Sequence, residues 1–145
     1  MAVTVTRIRV ALWVGRIALA ATLLSAVADR FGVWGPPGAP HVAWGDWQHF
    51  LVYCAEVNSF ALRALVPVLA WAATALETVL ALGLLAGFYL KHVAYSAAVL
   101  FGLFALAMTI SLGVKAPLDY SVWADLAGAV AWRAGVPPGK SREIG

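Results

Sequence analysis

Apolar residues fill long, nearly unbroken runs of this chain, and polar residues collect in the stretches between them. Four runs are long enough, or nearly so, to cross a hydrocarbon core about 30 Å thick at about 1.5 Å per helical residue. They cover residues 8–28, 65–88, 93–113 and 118–135, the last being the shortest. The pattern predicts an all-α protein, an integral membrane four-helix bundle forming one domain over residues 1–135. Residues 136–145, with Pro137, Pro138, Gly139, Lys140 and Arg142, read as a disordered polar tail.

The connection over residues 29–64 is too long for a simple turn. Trp34, Gly35, Pro36, Pro37, Gly38 and Pro40 make a rigid, non-helical elbow. Beyond it, Trp47, Phe50, Leu51 and Cys54 follow the spacing i, i+3, i+4, i+7, which predicts a short amphipathic helix with one apolar stripe. Asp46 suits its cap or first turn, where the helix dipole favours an acid. With Trp44 and Tyr53 beside it, this segment is expected to anchor at the membrane surface or to fold over the bundle mouth. In the second case Trp44, Trp47 and Phe50 form a lid over a lipid-soluble ligand.

Composition sharpens the class. Of 145 residues, 63% are hydrophobic and only 12% charged, more apolar surface than a soluble domain of this size can hide. The net charge of +3 comes without a basic stripe and points to no nucleic-acid partner. Basic residues instead report topology. Arg7, Arg9, Lys91, Arg133, Lys140 and Arg142 fall on one side of the four runs, and Arg30, Arg63 and Lys115 on the other. The positive-inside rule then places both termini in the cytoplasm of a cell with the protein in its inner (plasma) membrane. Ala26-Val27-Ala28 imitates a signal-peptidase site, but Arg16 interrupts the apolar run and the run is long for a signal core, so a retained span is expected.

Glu77 is the costliest residue in this scheme. A carboxylate halfway along a membrane run costs roughly 2.5–3.5 kcal/mol on insertion scales. If the runs begin at their apolar edges, Arg16 and Glu77 lie at similar depth on consecutive antiparallel spans, and an Arg16–Glu77 pair is the expected neutralisation. Asp125, about 10 Å in from Leu118, is the third candidate of this intramembrane polar site. On the outer face, Asp29, Arg30, Lys115, Asp119 and Tyr120 are candidates to line a pocket under the aromatic segment, Asp119 also being suited to cap the fourth helix. Gly83 and Gly87, four apart, offer a face for close helix approach. The single cysteine, Cys54, excludes a thiol relay within the chain, and no His/Cys/Asp spacing matches a metal site, so no metal is expected.

The early span with Arg16 ending near Asp29-Arg30, the segment Glu77-Thr78-Val79-Leu80-Ala81-Leu82-Gly83-Leu84-Leu85-Ala86-Gly87, and the basic Lys91 soon after resemble the DoxX family of small four-helix membrane proteins. The Lys115-Ala116-Pro117-Leu118-Asp119-Tyr120 corner looks like that of a DoxX-like subgroup. The resemblance covers most of the chain and implies the four-helix bundle and a link to membrane redox, as in thiosulfate:quinone oxidoreductase subunits. The long first connection with its three tryptophans departs from the shortest members. Three readings follow: a quinone-linked redox subunit or accessory of a membrane oxidoreductase, with quinone as the implied ligand and no covalent cofactor; a non-catalytic assembly protein for a partner subunit; and a small proton-coupled transporter.

Overall fold

The structure, a computed structural model, describes residues 2–135, and side chains for residues 10–132 and 134. The expected polar tail and the side chains of Arg7, Arg9 and Arg133 lie outside the described residues. Among the described residues every regular element is helical. The α-helices are α1 (Ala2–Arg30), α2 (Trp47–Val57), α3 (Val66–Ala86), α4 (Leu90–Leu112), α5 (Lys115–Asp119) and α6 (Val122–Gly135), with a 3-10 turn at Arg63–Leu65 leading into α3.

Three segments, Val10–Arg30, Arg63–Ala86 and Leu90–Leu112, are long and apolar enough to cross a membrane. Their outward faces are apolar as well: Val79 is 66% and Ile110 70% exposed, a pattern that suits lipid and not water. Helix ends fall where the backbone requires it. Pro67 sits in the first turn of α3, where its missing N–H costs nothing. Gly87, at φ +82°, closes that helix by donating its N–H to Gly83 O.

The fourth expected run is divided. Ser121 takes a left-handed conformation at φ +57°, which separates α5 from α6. α6 has 14 residues, about 21 Å of helix, and its apolar part, Val122–Trp132, falls short of the three longer segments. Periodicity alone treated Tyr120 and Ser121 as helical.

α1 packs against α3 and α6, and α4 packs against α3, α5 and α6. The buried seam is made of Leu19, Ala20 and Leu23 on α1, Leu80, Ala81 and Leu84 on α3, Ala94, Ala97, Phe101 and Ala105 on α4, and Ala129 and Trp132 on α6. The alanines let helices approach closely, which is the main packing device where lipid removes the hydrophobic drive between helices. Gly83 serves the same end: a Cβ there would stand 3.1 Å from a Val93 methyl.

α1 and α3 are not level. Arg30, the last residue of α1, meets Thr74 and Glu77, which lie eight and eleven residues into α3. α3 therefore overhangs the end of α1 by about 12 Å, counted from Val66 to Thr74. α2 fills that overhang. Its buried residues Phe50 and Cys54 cluster with Val66 and Ala70 on the first turns of α3.

Candidate functional site

The site is built by two adjacent residues with opposite tasks. Asp29 turns to the elbow and accepts three backbone hydrogen bonds, from Ala43 N (2.8 Å), Trp44 N (3.1 Å) and Gly45 N (2.8 Å). Three donors on one carboxylate fix the segment just before α2 to the end of α1. Gly45 makes this possible. It sits at φ +74°, and a Cβ there would lie 2.4 Å from Pro37 N. The elbow doubles back on itself so tightly that only glycine fits.

Arg30 turns the other way, into the core. Its Nη2 lies 2.8 Å from each carboxylate oxygen of Glu77 and donates to Oε1, while Nη1 donates to Thr74 Oγ1 at 2.7 Å. Thr74 Oγ1 in turn donates to Ala70 O at 2.8 Å. The guanidinium lies 4.0 Å from the centroid of the Phe50 ring and 5.4 Å from that of Trp44. Both charges are buried, at 3% and 1% exposure, so each requires the other. Arg30 Nε, also buried, has no acceptor among the described residues.

The counter-charge of Glu77 is thus Arg30, and the expected Arg16–Glu77 pair is corrected. Arg16 lies near the other end of α3, where Nη2 donates to Leu85 O at 2.6 Å and the guanidinium stacks at 4.1 Å over Trp13. The depth argument assumed that α1 and α3 start level. The overhang of α3 moves every α1 residue toward the opposite membrane face, so Arg16 passes Glu77 by about two turns and Arg30 takes its place.

Beside the pair lies a cavity of about 470 Å³, within the usual range for small-molecule sites. Leu23 and Ala26 of α1, Leu69, Ala73 and Leu76 of α3, and Leu100, Leu103, Phe104 and Ala107 of α4 make its apolar walls. Arg30, Glu77, Tyr53, Asn58, Tyr120 and Asp125 supply polar groups, and Trp44 of the elbow and Phe50 of α2 line it as well. Asp125, in the first turn of α6, is half-buried. Burial pushes the Tyr53 hydroxyl up to about 12 and the Cys54 thiol up to about 11, so both are neutral near pH 7.

Other candidates fall elsewhere. Trp47 faces away from the cavity, in a ring cluster with Phe31 (5.7 Å, nearly parallel) and Trp71 (4.3 Å). Lys115 and Asp119 form an exposed i, i+4 ion pair along α5, outside the cavity. Asp119 ends α5 and does not begin α6, because the chain turns at Tyr120 and Ser121 first. Thr74, Tyr53 and Cys54 were not among the expected site residues. Thr74 had a signal, lying three residues before Glu77 and so on the same helix face. Among the described residues no group of three or more His, Cys, Asp or Glu side chains could hold a metal ion.

No family model matches the chain, nor does any curated protein or solved structure. The functional argument therefore rests on the site itself.

Proposed function

We propose that this chain is a four-helix membrane bundle of the DoxX-like kind, with α6 as its short fourth member and α2 as an amphipathic lid. It lies in the inner (plasma) membrane with both termini cytoplasmic, and serves as a quinone-linked subunit or accessory of a membrane oxidoreductase. The observation that carries this reading is the apolar cavity walled by bilayer-length helices and floored by the Arg30–Glu77 pair. An uncharged ring with carbonyl oxygens suits it. The walls take the ring and tail, and Arg30 Nε has a hydrogen bond still to give.

A quinone supplies two-electron, two-proton redox chemistry when bound, with electrons from a flavin or haem of a partner subunit. The chain's own residues would orient the head and move protons. Glu77 is held in place by Arg30, and Asp125 lines the same cavity from α6. Trp44 and Phe50 keep water from the head.

The test is binding of a decyl-tailed benzoquinone to the purified full-length chain in lipid nanodiscs, read by quenching of tryptophan fluorescence. Saturable binding that weakens at least tenfold in Glu77→Gln supports the reading. Absence of saturable binding in the natural protein would sink it. The closed, mutually neutral Arg30–Glu77 pair also suits a purely architectural role in a non-catalytic assembly protein. That reading gains if a partner subunit co-purifies from native membranes while no quinone binds.

A further inference from the structure

Several cavity-lining residues are also exposed on the outside of the molecule. Leu69 and Leu76 of α3 are 38% and 51% exposed, and Leu103 of α4 is 59% exposed. They belong to two stripes that line the same cavity, residues 69, 72, 73 and 76 on α3 and 100, 103, 104 and 107 on α4, and Phe60 and Tyr120 are exposed lining residues at its α2-side end. Toward their other ends the same two helices close together where Gly83 meets Val93. A route between these two helices is therefore confined to their α2-side half. Leu69 and Leu76 are three and ten residues in from Val66, and Leu103 nine in from Leu112, so the mouth spans about 5–15 Å of depth from the helix ends. At that depth the surroundings of a bilayer-length helix are lipid tails, not water.

We propose that the cavity is loaded sideways from the membrane: an uncharged, long-tailed amphiphile enters between α3 and α4, sets a hydrogen-bond-accepting head beside Arg30, and leaves its tail in the slot. This deepens the quinone reading and rests on the same site. The head is uncharged because it sits beside Arg30, whose charge Glu77 already balances, so a further charge at that place would have no partner. The head accepts because Arg30 Nε is a buried donor with no hydrogen bond among the described residues, whereas Glu77 Oε2, which also has no hydrogen bond there, already lies 2.8 Å from Arg30 Nη2. The tail follows from the apolar mouth.

Cys54, the chain's single thiol, lines this cavity and reports on access. The full chain in nanodiscs is treated with dodecyl methanethiosulfonate or with the charged trimethylammonium-ethyl reagent, and labelling is followed by mass spectrometry. The alkyl reagent should label at least ten times faster. Leu76→Trp and Leu103→Trp, which fill the mouth, should each slow it at least tenfold. Val79→Trp, on the lipid face of α3 but away from the cavity, should leave the rate unchanged and controls for added bulk. Equal or faster labelling by the charged reagent, or mouth variants that label like the natural protein, overturns the lateral route. Protection of Cys54 by methyl decanoate but not by decanoate supports an uncharged head, and the reverse order overturns it. If the mouth variants behave as expected while the decyl-tailed quinone gives no protection, the quinone reading fails and the lateral site stands.

Discussion

Removing one member of the Arg30–Glu77 pair should be worse than removing both, and the two single losses should differ. A buried pair broken on one side costs about 3–5 kcal/mol, because a charge is left without its partner. Arg30 also donates to Thr74 and stacks on Phe50, and each contact is lost in Arg30→Met. That variant has an escape, since Glu77 left alone can take a proton and become neutral. Glu77→Leu has none, because a guanidinium stays charged. At roughly 2–4 °C per kcal/mol for a chain of this size, the singles should melt roughly 6–20 °C lower, with Glu77→Leu the worse of the two. Arg30→Met/Glu77→Leu should recover most of the loss. The melt can be followed by a thiol-reactive dye in detergent, since Cys54 is buried and is the chain's single thiol. The cycle with Arg16→Met and Glu77→Leu is the decisive control. Those two changes should add, whereas the Arg30 cycle should show coupling above about 1 kcal/mol. Additive losses for Arg30 and Glu77, or strong coupling of Glu77 to Arg16, would refute the geometry.

The remaining predictions concern the elbow and α2. Gly45→Ala puts a Cβ against the Pro36–Pro37 backbone at a positive φ and should cost at least ~2 kcal/mol, read as faster proteolysis of the elbow. Gly38→Ala, also at positive φ but with open space around it, should cost only ~1 kcal/mol. The Asp46 carboxyl is held below its ordinary range by hydrogen bonds from the His49 backbone N–H and side chain. Its stabilisation of α2 is therefore full above the unfolded value near pH 4 and fades as pH falls through the lowered folded value. Asp46→Asn should remove that acid-side dependence from a melt taken between pH 2 and 6. With its thiol pushed up to about 11 from 9.0, Cys54 should hold on the order of a hundredfold less thiolate than an ordinary cysteine at neutral pH, and label correspondingly slowly in stopped reactions. Ordinary labelling rates in the folded protein would mean that the thiol is not buried.

The three long apolar helices were legible from hydropathy and length, and the helix at Trp47–Val57 from the spacing of Trp47, Phe50, Leu51 and Cys54. Glu77 announced itself by its cost in an apolar run. What the sequence did not carry was relative depth. Apolar edges locate where a helix begins to be apolar, not where it stands against its neighbour, and a 12 Å overhang is invisible to them. Asp29 and Arg30 looked like surface charges at the end of a run because nothing in the pattern says that a helix end sits inward of the next helix's start. The break at Ser121 was missed for a related reason: Tyr120 and Ser121 carry no glycine or proline to mark a turn.

The overhang also bears on how the chain is inserted. α1 emerges first, and with Arg30 unpaired its most favourable position keeps that guanidinium at the membrane face, held by snorkelling. Only when α3 arrives does Glu77 offer a partner about 16 Å along its length from Val66. The pair holds the end of α1 inward, and the backbone hydrogen bonds to Asp29 hold the elbow and the start of α2 at the same level. The depth of the first helix is therefore tied to the third, and the place of α2 beside the cavity depends on a contact that the first helix and the elbow cannot make on their own.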